Sequence, residues 1–501
     1  MSTPENATVT QLLANLADVE DRGLHFEGSF TPWREHVAES RRLASVLRAR
    51  LDPSKPPHVG VILENTPGFA RLLSAAALGG LVLVGLNSTR RGSALQRDVE
   101  LADCQFIITD ESETVVDQQH PLIEIADVRP DELFMLIFTS GTSGDPKAVQ
   151  ITHAKVASAG VMLSSRFGLG PADVCYLSMP LFHSNAVLAG WSVAVAAGAS
   201  IALRRRFSAS GFLDDIRTYG ATYANYVGKP MSYVLATPEQ PDDAENPLKF
   251  MYGNEAAAGD TDRFAKRFGA FVVDGFGSTE GGVALGWAPG TPPGAIGPLT
   301  PDVQILDVRT GQPCPPAVFD QSGKVVNAAE ATGELVNVTG PGRFTGYYKN
   351  EAADAERMVE GKYRSGDLAY ADENGFVYFA GRLGDWLRVD GENLGTAPIE
   401  RVLLRHPDIT EVAIYGIPDP TVGDRVMAAL IVSNGFEASK LGEFLSAQED
   451  LGPKQWPSFV RISADLPRTA TFKVIKRQLS AEALETSDPL WRLSGSTYVQ
   501  P

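Results

Sequence analysis

The 501-residue chain has few cysteines, an excess of acidic over basic residues and no long uninterrupted apolar run. Its three cysteines, Cys104, Cys175 and Cys314, are widely spaced and have no neighbouring histidine pairs, which excludes a disulfide framework and a zinc cluster. The 44 Lys and Arg residues against 61 Asp and Glu residues leave a formal net charge of −17. Because binding to nucleic acid depends on clustered basic residues, we expect no nucleic-acid partner.

The chain also lacks the patterns of membrane insertion and export. Its most apolar runs, residues 75–86 and 191–203, are shorter than the roughly 20 residues that a membrane-spanning helix needs. The N-terminal segment does not combine a basic start with an apolar core, so it does not read as an export signal. We therefore expect no transmembrane segment and a cytoplasmic location, and a homodimer stays open as an oligomeric state.

Helical periodicity alternates with short continuous apolar segments over the first part of the chain, which is typical of an α/β sheet that is buried on both faces. The predicted strands are residues 58–63, 105–109, 133–138, 199–203 and 271–274. In open α/β sheets ligands bind in the loops that follow the strands. Turn residues at short intervals between residues 333 and 382 predict additional antiparallel β-structure.

The last 116 or so residues form a region long enough to fold alone. We predict a large N-terminal domain over residues 1–382, made of layered α/β sheets plus a small β-structure. A hinge is expected at residues 383–385, where Gly384 frees the backbone, followed by a small α+β C-terminal domain over residues 386–501. The predicted fold class is therefore α/β with a second, smaller α+β domain.

The most informative motif is FTSGTSGDPK, residues 138–147, directly after a predicted strand. Glycines, hydroxyl groups and a lysine can together form a concave surface of donors for phosphate oxygens. The predicted phosphate-binding residues are Thr139, Ser140, Gly141, Thr142, Ser143, Gly144 and Lys147. Lys147 follows a proline and precedes neither Ser nor Thr, so the motif is not the Walker sequence of P-loop NTPases.

This string resembles the signature of the acyl-adenylate-forming superfamily, which includes acyl-CoA synthetases, luciferases and the adenylation domains of peptide synthetases. A second match is DGFGSTEGG, residues 274–282. The resemblance implies that Phe276 packs on adenine, that Thr279 contacts phosphate and that Glu280 holds Mg²⁺, for which a carboxylate is a suitable hard ligand. It also implies a nucleotide site that includes residues of this motif and of YGNEAA at 252–257, namely Gly253, Asn254, Glu255, Asp274, Gly275 and Gly277.

Two further matches lie in the second half of the chain. In YRSGDLAY and GFVYFAGR the resemblance assigns Asp367 to the ribose hydroxyls and Arg382 to the ribose or the α-phosphate. In PRTATFKVIKRQL it assigns Lys473 to the substrate carboxylate and the α-phosphate during adenylation. Phe472 stands where the superfamily usually has glycine, and Lys476 is a neighbouring lysine without a predicted role.

The fifth match, GRLGDWLRVDGENLGTAPIE, is similar to the segment of acyl-CoA synthetases that contains the hinge and the CoA-binding turn. It implies that Gly391, Glu392 and Asn393 line the CoA channel after the small C-terminal domain rotates, which makes that domain mobile. Gly384 occupies a hinge position that is commonly Asp or Lys in the superfamily.

The acyl pocket is less clearly encoded. The resemblance places His183, Val227 and Gly253 beside the acyl group. Together, YGNEAA and GDWLRVDGEN are similar to the fatty acid transport protein and very-long-chain branch and to actinobacterial long-chain or steroid-side-chain CoA ligases. We therefore expect a large apolar acid, either a long fatty chain or a steroid-like or terpenoid-like carboxylate.

The implied enzyme uses ATP, Mg²⁺ and CoA to convert a small-molecule carboxylic acid into an acyl-AMP and then a thioester. Phe472 and Gly384 leave open a ligase that accepts only a preformed acyl-adenylate. A carrier-protein thiol in place of CoA also stays open, as does a non-catalytic nucleotide-binding protein of the same fold. The presence of Lys147, Glu280, Asp367 and Lys473 argues against that last reading.

Overall fold

The computed structural model divides the chain into two compact units. The first unit contains residues 1–281 and 343–356, and the second contains residues 282–342 and 357–501. The structure describes residues 7–87, 90–139, 146–256, 259–321, 323, 325–385, 387–389, 392–419, 423–448, 451–469 and 473–500.

The first unit contains two mainly parallel sheets. Its strands are β1 (Gly23–Phe26), β2 (Ser29–Pro32), β3 (His58–Val61), β4 (Val82–Gly85), β5 (Phe106–Ile108), β6 (Leu133–Thr139), β7 (Lys147–Thr152), β8 (Val174–Leu177), β9 (Ser200–Leu203), β10 (Tyr223–Val227), β11 (Phe250–Asn254) and β12 (Phe271–Gly277). One sheet has the order β5-β3-β4-β6-β7, and seven strands of the other have the order β12-β11-β10-β8-β9-β1-β2. Only the pairs β6–β7 and β1–β2 are antiparallel among these strands.

Helices cover these sheets. They are α1 (Val9–Ala14), α2 (Trp33–Arg50), α3 (Pro67–Gly79), α4 (Gly92–Leu101), α5 (His153–Phe167), α6 (Ser184–Ala186), α7 (Ser192–Ala197), α8 (Phe212–Tyr219), α9 (Pro230–Leu235) and α10 (Asp260–Phe268). The short helix α11 (Ala328–Ala331) belongs to the second unit, whereas α12 (Glu351–Arg357) lies in the first unit except for its last residue. A π-helical turn, Val187–Trp191, joins α6 to α7. The side chains of Trp33 and Trp191 are almost completely buried, as expected for the large core residues of a layered α/β unit.

The second unit begins with an antiparallel sheet. The unit contains the short strand β13 (Ala284–Gly286), which is not part of this sheet. The strands of the sheet are β14 (Gly297–Pro298), β15 (Val303–Leu306), β16 (Gly333–Asn337), β17 (Met358–Val359), β18 (Lys362–Ala371) and β19 (Phe376–Arg382). The sheet has the order β14-β19-β18-β16-β15, and β17 also pairs with β18. This confirms the antiparallel structure that the turn residues between 333 and 382 predict.

The C-terminal region of the second unit has its own sheet and core. Its elements are β20 (Leu387–Val389), β21 (Glu392–Leu394), α13 (Thr396–Leu403), β22 (Ile409–Asp419), β23 (Gly423–Val432), α14 (Leu441–Ser446), β24 (Phe459–Ile462), α15 (Lys476–Glu482), β25 (Leu490–Ser494) and β26 (Thr497–Val499). Six strands have the order β21-β20-β23-β24-β25-β26, and β22 pairs with β23. Buried Ile399, Leu403, Leu430 and Leu441 belong to one hydrophobic cluster there.

The predicted fold class is confirmed: a larger N-terminal α/β part precedes a smaller α+β region. The five predicted strands of the first unit correspond to β3, β5, β6, β9 and β12. The predicted domain boundaries at residues 382 and 386 and the hinge between them stay predictions. Among the helices that the structure describes, none is both long enough and apolar enough to cross a membrane.

Candidate active site

The predicted phosphate loop joins the antiparallel strands β6 and β7. Thr139 pairs with Lys147 across the two strands, so these residues stand at the two ends of the loop. The loop is followed by a strand rather than a helix, which distinguishes it from a Walker loop. Five predicted residues, Ser140, Gly141, Thr142, Ser143 and Gly144, lie outside the described residues.

The side chain of Lys147 is mostly buried and is held within the first unit. Its Nζ lies 3.0 Å from Oε2 of Glu356, and it stands 5.3 Å from the ring centroid of Tyr347. Glu356 is exposed, with 70% of its side chain accessible to solvent. Because the carboxylate of Glu356 is open to solvent, phosphate oxygens could take its place at this ammonium group.

Three neighbouring parallel strands end at the predicted nucleotide site. In the register of β10 and β11, Val227 lies beside Asn254 at the ends of the two strands. Nδ2 of Asn254 donates a 3.4 Å hydrogen bond to the backbone oxygen of Gly277 at the end of β12. Gly275 and Phe276 precede Gly277 in β12, so the structure brings the two predicted adenine-site segments together. Glu255, which follows Asn254 at the end of β11, has a left-handed backbone with φ 64°.

Asp274 lies within β12 and is bound by a residue that the sequence analysis missed. The hydroxyl of Tyr226 donates a 2.6 Å hydrogen bond to Oδ1 of Asp274, and the backbone N–H of Ala256 donates a 3.2 Å bond to the same oxygen. Burial raises the pKa of Asp274 to about 6, although both hydrogen bonds oppose the shift. The carboxyl group of Asp274 therefore keeps its proton to a higher pH than an exposed aspartate does.

Gly253 occupies a position with no room for a side chain. A Cβ atom built there would lie 2.1 Å from the backbone oxygen of Tyr226 and 2.6 Å from its ring. Tyr226 and Gly253 are partners in the β10–β11 pairing, so the absent side chain lets the Tyr226 ring pass over β11 towards Asp274. Gly253 can therefore offer only backbone atoms to the predicted nucleotide site and acyl pocket.

The side chains of Thr279 and Glu280 are both fixed within the first unit. Oγ1 of Thr279 lies 2.7 Å from Oγ of Ser184. Glu280 is 8% exposed, and its Oε1 accepts a 3.0 Å hydrogen bond from the hydroxyl of Tyr347. Ser184 follows His183, so the predicted acyl-pocket histidine immediately precedes a residue that contacts the predicted phosphate site.

A chain of amides crosses the sheet face on which Val227 lies. Nδ2 of Asn225 donates a 2.6 Å hydrogen bond to Oδ1 of Asn185. Nδ2 of Asn185 in turn lies 2.9 Å from the backbone oxygen of Tyr226 and 3.4 Å from Oδ1 of Asn254. The amides therefore connect α6, which begins directly after His183, to the strand ends at the predicted adenine site.

The predicted ribose site lies in the second unit. Asp367 and Arg382 are partners in the β18–β19 pairing, and Nε of Arg382 lies 3.4 Å from Oδ1 of Asp367. The preceding turn is held by Glu334, whose Oε1 accepts a 2.8 Å hydrogen bond from the N–H of Gly366. Arg357 donates a 2.6 Å hydrogen bond to the backbone oxygen of Ser365. The structure therefore brings together Asp367 and Arg382, the two residues that the resemblance assigns to the ribose.

The backbone of the predicted catalytic lysine is bound to Thr469 in the C-terminal region. The N–H of Lys473 donates to Oγ1 of Thr469 at 3.2 Å, and its backbone oxygen accepts from the N–H of Thr469 at 2.9 Å. Nζ of Lys476 lies instead 2.8 Å from Oε1 of Glu400. Lys476 therefore has a structural partner, whereas Phe472 lies outside the described residues.

The predicted hinge forms a single turn of 3-10 helix, Leu383–Asp385, in which Gly384 is exposed. The predicted CoA turn belongs to the β20–β21 hairpin. Glu392 and Asn393 begin β21, where Glu392 pairs with Val389. Gly391 lies outside the described residues.

Glu280 suits a magnesium ion that arrives with a nucleotide. No group of three or more His, Cys, Asp or Glu side chains is placed to hold a metal ion in the part of the chain that the structure describes. Mg²⁺ is usually bound through one or two carboxylates together with substrate phosphates rather than in a cage of protein ligands. A single buried carboxylate, next in the chain to the threonine that is predicted to contact phosphate, fits that arrangement.

Sequence reasoning missed Ser184, Tyr226, Tyr347 and Lys155, the last of which contacts the backbone of Thr279 and Glu280. These residues come from segments far from the motif that they contact, so spacing gives no signal for them. Lys155 carries one usable signal, because it is the only charged residue in a mostly apolar run, AKVASAGVML at residues 154–163.

Comparisons with known families and structures agree with this arrangement. The AMP-binding enzyme family matches residues 18–348, and the AMP-binding enzyme C-terminal domain matches residues 398–473. In a crystal structure, ATP-bound MatB from Rhodopseudomonas palustris has a similar fold, with a TM-score of 0.82 at 23% identity, covering 95% of this chain and 98% of that one.

Two curated relatives cover almost the whole chain. The medium/long-chain-fatty-acid–CoA ligase FadD17 of Mycobacterium tuberculosis is 60% identical over 98% of this chain and 99% of its own length. The steroid-22-oyl-CoA synthetase of Rhodococcus jostii is 41% identical over 98% of this chain and 94% of its own length.

Proposed function

Because this chain belongs to the family of AMP-binding enzymes and is an acyl-CoA ligase, we propose that it activates a medium- or long-chain fatty acid or the side-chain acid of a steroid. The observation that carries the proposal is the similarity over 98% of the chain to ligases of both substrate classes. The polar groups at the ends of β10, β11 and β12 supply a site for the nucleotide beside the predicted acyl pocket.

In the first half-reaction the carboxylate oxygen of the acid attacks the α-phosphorus of ATP, and pyrophosphate leaves with the electrons of the broken P–O bond. Lys147 and Thr279 bind phosphate oxygens, and Lys473 brings the negative carboxylate and phosphate together. Glu280 would hold Mg²⁺, which supplies charge neutralisation at the phosphates. Asp367 accepts hydrogen bonds from the ribose hydroxyls.

In the second half-reaction the CoA thiol, on losing its proton, attacks the acyl carbon and displaces AMP. The turn that contains Gly391, Glu392 and Asn393 would line the thiol channel after rotation about Gly384. His183 and Val227 would lie beside the acyl group. We further propose that the enzyme works in the cytoplasm, where ATP and CoA are supplied. Its oligomeric state is a separate question, and light scattering will distinguish a monomer from a homodimer.

The test is pyrophosphate release with ATP and Mg²⁺ against medium-chain, long-chain and steroid acids, with and without CoA. We expect release that requires an acid and is lost in Lys473→Ala. Lys476→Ala is the matched control. Lys476 is bound to Glu400, so its substitution should leave adenylation intact. Pyrophosphate release that a short polar acid supports, but none of these apolar acids does, would contradict the proposed substrate class.

A ligase that uses only a preformed acyl-adenylate is the second candidate, favoured by Phe472 before the catalytic lysine and by Gly384 at the hinge. It predicts thioester formation from a supplied acyl-adenylate and CoA, with no pyrophosphate release for any acid. The same assays therefore separate the two candidates.

A further inference from the structure

We propose that Lys155 is a positioning residue for the adenylation half-reaction, because its ammonium group fixes the backbone of Thr279 and Glu280. The inference rests on the proposed function, which places these two residues at the phosphates and Mg²⁺ of the nucleotide.

The burial and location of Lys155 require a partner for its charge. The residue is 6% exposed and lies in the first turn of α5, where its N–H is bound by Oγ1 of the N-cap residue Thr152. A positive charge near a helix N-terminus opposes the helix dipole, and a buried ammonium group without partners is costly. Lys155 therefore stands where neither helix formation nor core packing favours a lysine.

Its partners are two consecutive backbone carbonyl groups. Nζ of Lys155 donates hydrogen bonds of 2.8 Å to the oxygen of Thr279 and 2.7 Å to the oxygen of Glu280. The two side chains are held separately, Thr279 by Ser184 and Glu280 by Tyr347. Lys155 thus determines where the backbone of these residues lies, while other groups determine where their side chains point.

The turn that follows is built around the lysine. Gly281 has a left-handed backbone, φ 74°, and a Cβ atom there would lie 3.4 Å from Cε and 3.5 Å from Nζ of Lys155. The N–H of Gly281 donates to Oγ of Ser278, and its oxygen accepts from the N–H of Arg343. The backbone groups on both sides of the contact are therefore also fixed.

Rigid placement of the Thr279–Glu280 backbone matters most in the adenylation half-reaction. Charge on the leaving pyrophosphate grows during that step, and donors that are already in place stabilise it without reorganisation. In the second half-reaction pyrophosphate has left, so the Thr279–Glu280 backbone has fewer contacts to make. Loss of Lys155 should therefore separate the two half-reactions, which a general loss of stability would not do.

The experiment compares Lys155→Met with the wild type and with Lys266→Met, which removes an exposed lysine from α10. We expect Lys155→Met to slow pyrophosphate release about 10- to 100-fold and to weaken Mg–ATP binding in calorimetry, as loss of a preorganised electrostatic group does. Thioester formation from a supplied acyl-adenylate should stay within about 3-fold of wild type, because it does not use the preorganised phosphate contacts. Lys155→Arg, which keeps donors for both carbonyls, should recover part of the loss.

The proposal would be overturned if Lys155→Met slowed both half-reactions equally and also lowered the melting temperature. Unchanged Mg–ATP binding by this variant would overturn it too. If Lys155→Met does not fold, Gly281→Ala displaces the same turn and should give the same split between half-reactions. A wild-type chain that releases no pyrophosphate with any acid would contradict the proposed function instead, and Mg–ATP binding by the variants would still decide the role of Lys155.

Discussion

The phenol of Tyr226 donates a 2.6 Å hydrogen bond to Oδ1 of Asp274, and this bond joins two strands of the predicted nucleotide site. The two residues lie on β10 and β12, and the strand between them contributes Gly253, which leaves room for the tyrosine ring. A nucleotide site at these strand ends therefore depends on a contact that reaches across three strands.

Burial raises the pKa of Asp274 from 3.8 to about 6, which predicts a specific dependence of stability on pH. Because the folded-state pKa is raised, the stability that the protonated group contributes is fully present below pH 4 and is lost as pH rises through 6. The total change is on the order of 1–3 kcal/mol. Denaturant unfolding of wild type and Asp274→Asn at pH 4.5 and 7.5 measures it. We expect the free energy of unfolding of Asp274→Asn, measured relative to wild type, to be higher at pH 7.5 than at pH 4.5. The same difference in free energy at both pH values would contradict the raised pKa.

The close approach at Gly253 predicts a large effect of a single methyl group. Gly253→Ala places Cβ 2.1 Å from a backbone oxygen, which cannot move without disturbing the β10–β11 pairing. We expect a loss of about 2 kcal/mol or more in the free energy of unfolding. Gly277→Ala is the matched control, because nothing lies within 4 Å of its added methyl group. Similar stabilities for the two variants would show that the strands separate more easily than the structure indicates.

Glu280 should set the magnesium requirement of adenylation. Glu280→Gln keeps the size of the side chain and an oxygen for the Tyr347 hydroxyl, but it removes the charge that suits Mg²⁺. We expect the Mg²⁺ concentration for half-maximal pyrophosphate release to rise about 10-fold, which corresponds to a change of about 1.4 kcal/mol. Glu373→Gln, at an exposed position, should leave it unchanged. If Glu280→Gln has the same magnesium dependence as wild type, the prediction that Glu280 binds Mg²⁺ is wrong.

The sequence predicts the parts of this protein that are encoded in short contiguous strings. The strands around β3, β6 and β9 lie in largely continuous apolar runs, so their burial is visible in the composition of each run. The resemblance assigns Asp367 and Arg382 to one ribose, and the β18–β19 pairing places them together.

The contacts that hold the site could not be predicted in the same way. Lys155, Ser184 and Tyr347 reach Thr279 and Glu280 from three separate segments, and only the tertiary fold decides that these segments meet. The C-terminal hairpin of β25 and β26 was also missed, although Gly495 between the two strands is a turn signal.

The loop that carries Lys473 should depend on an ion pair outside the predicted catalytic residues. Arg468 pairs with Glu411 of β22, and the two side chains are only 12% and 13% exposed. Arg468 also forms a β-bridge with Val474, next to Lys473. Removing the carboxylate leaves a mostly buried guanidinium group with a weaker set of partners, so the position of the loop should become less defined.

We therefore expect Glu411→Gln to lower the free energy of unfolding by about 1–3 kcal/mol and to slow pyrophosphate release more than thioester formation from a supplied acyl-adenylate. Glu437→Gln, which breaks an exposed pair with Lys440, is the matched control and should change neither rate. Since Lys473 serves only adenylation in the proposed mechanism, a Glu411→Gln variant that slows both half-reactions equally would show that the pair stabilises the C-terminal region without positioning the lysine.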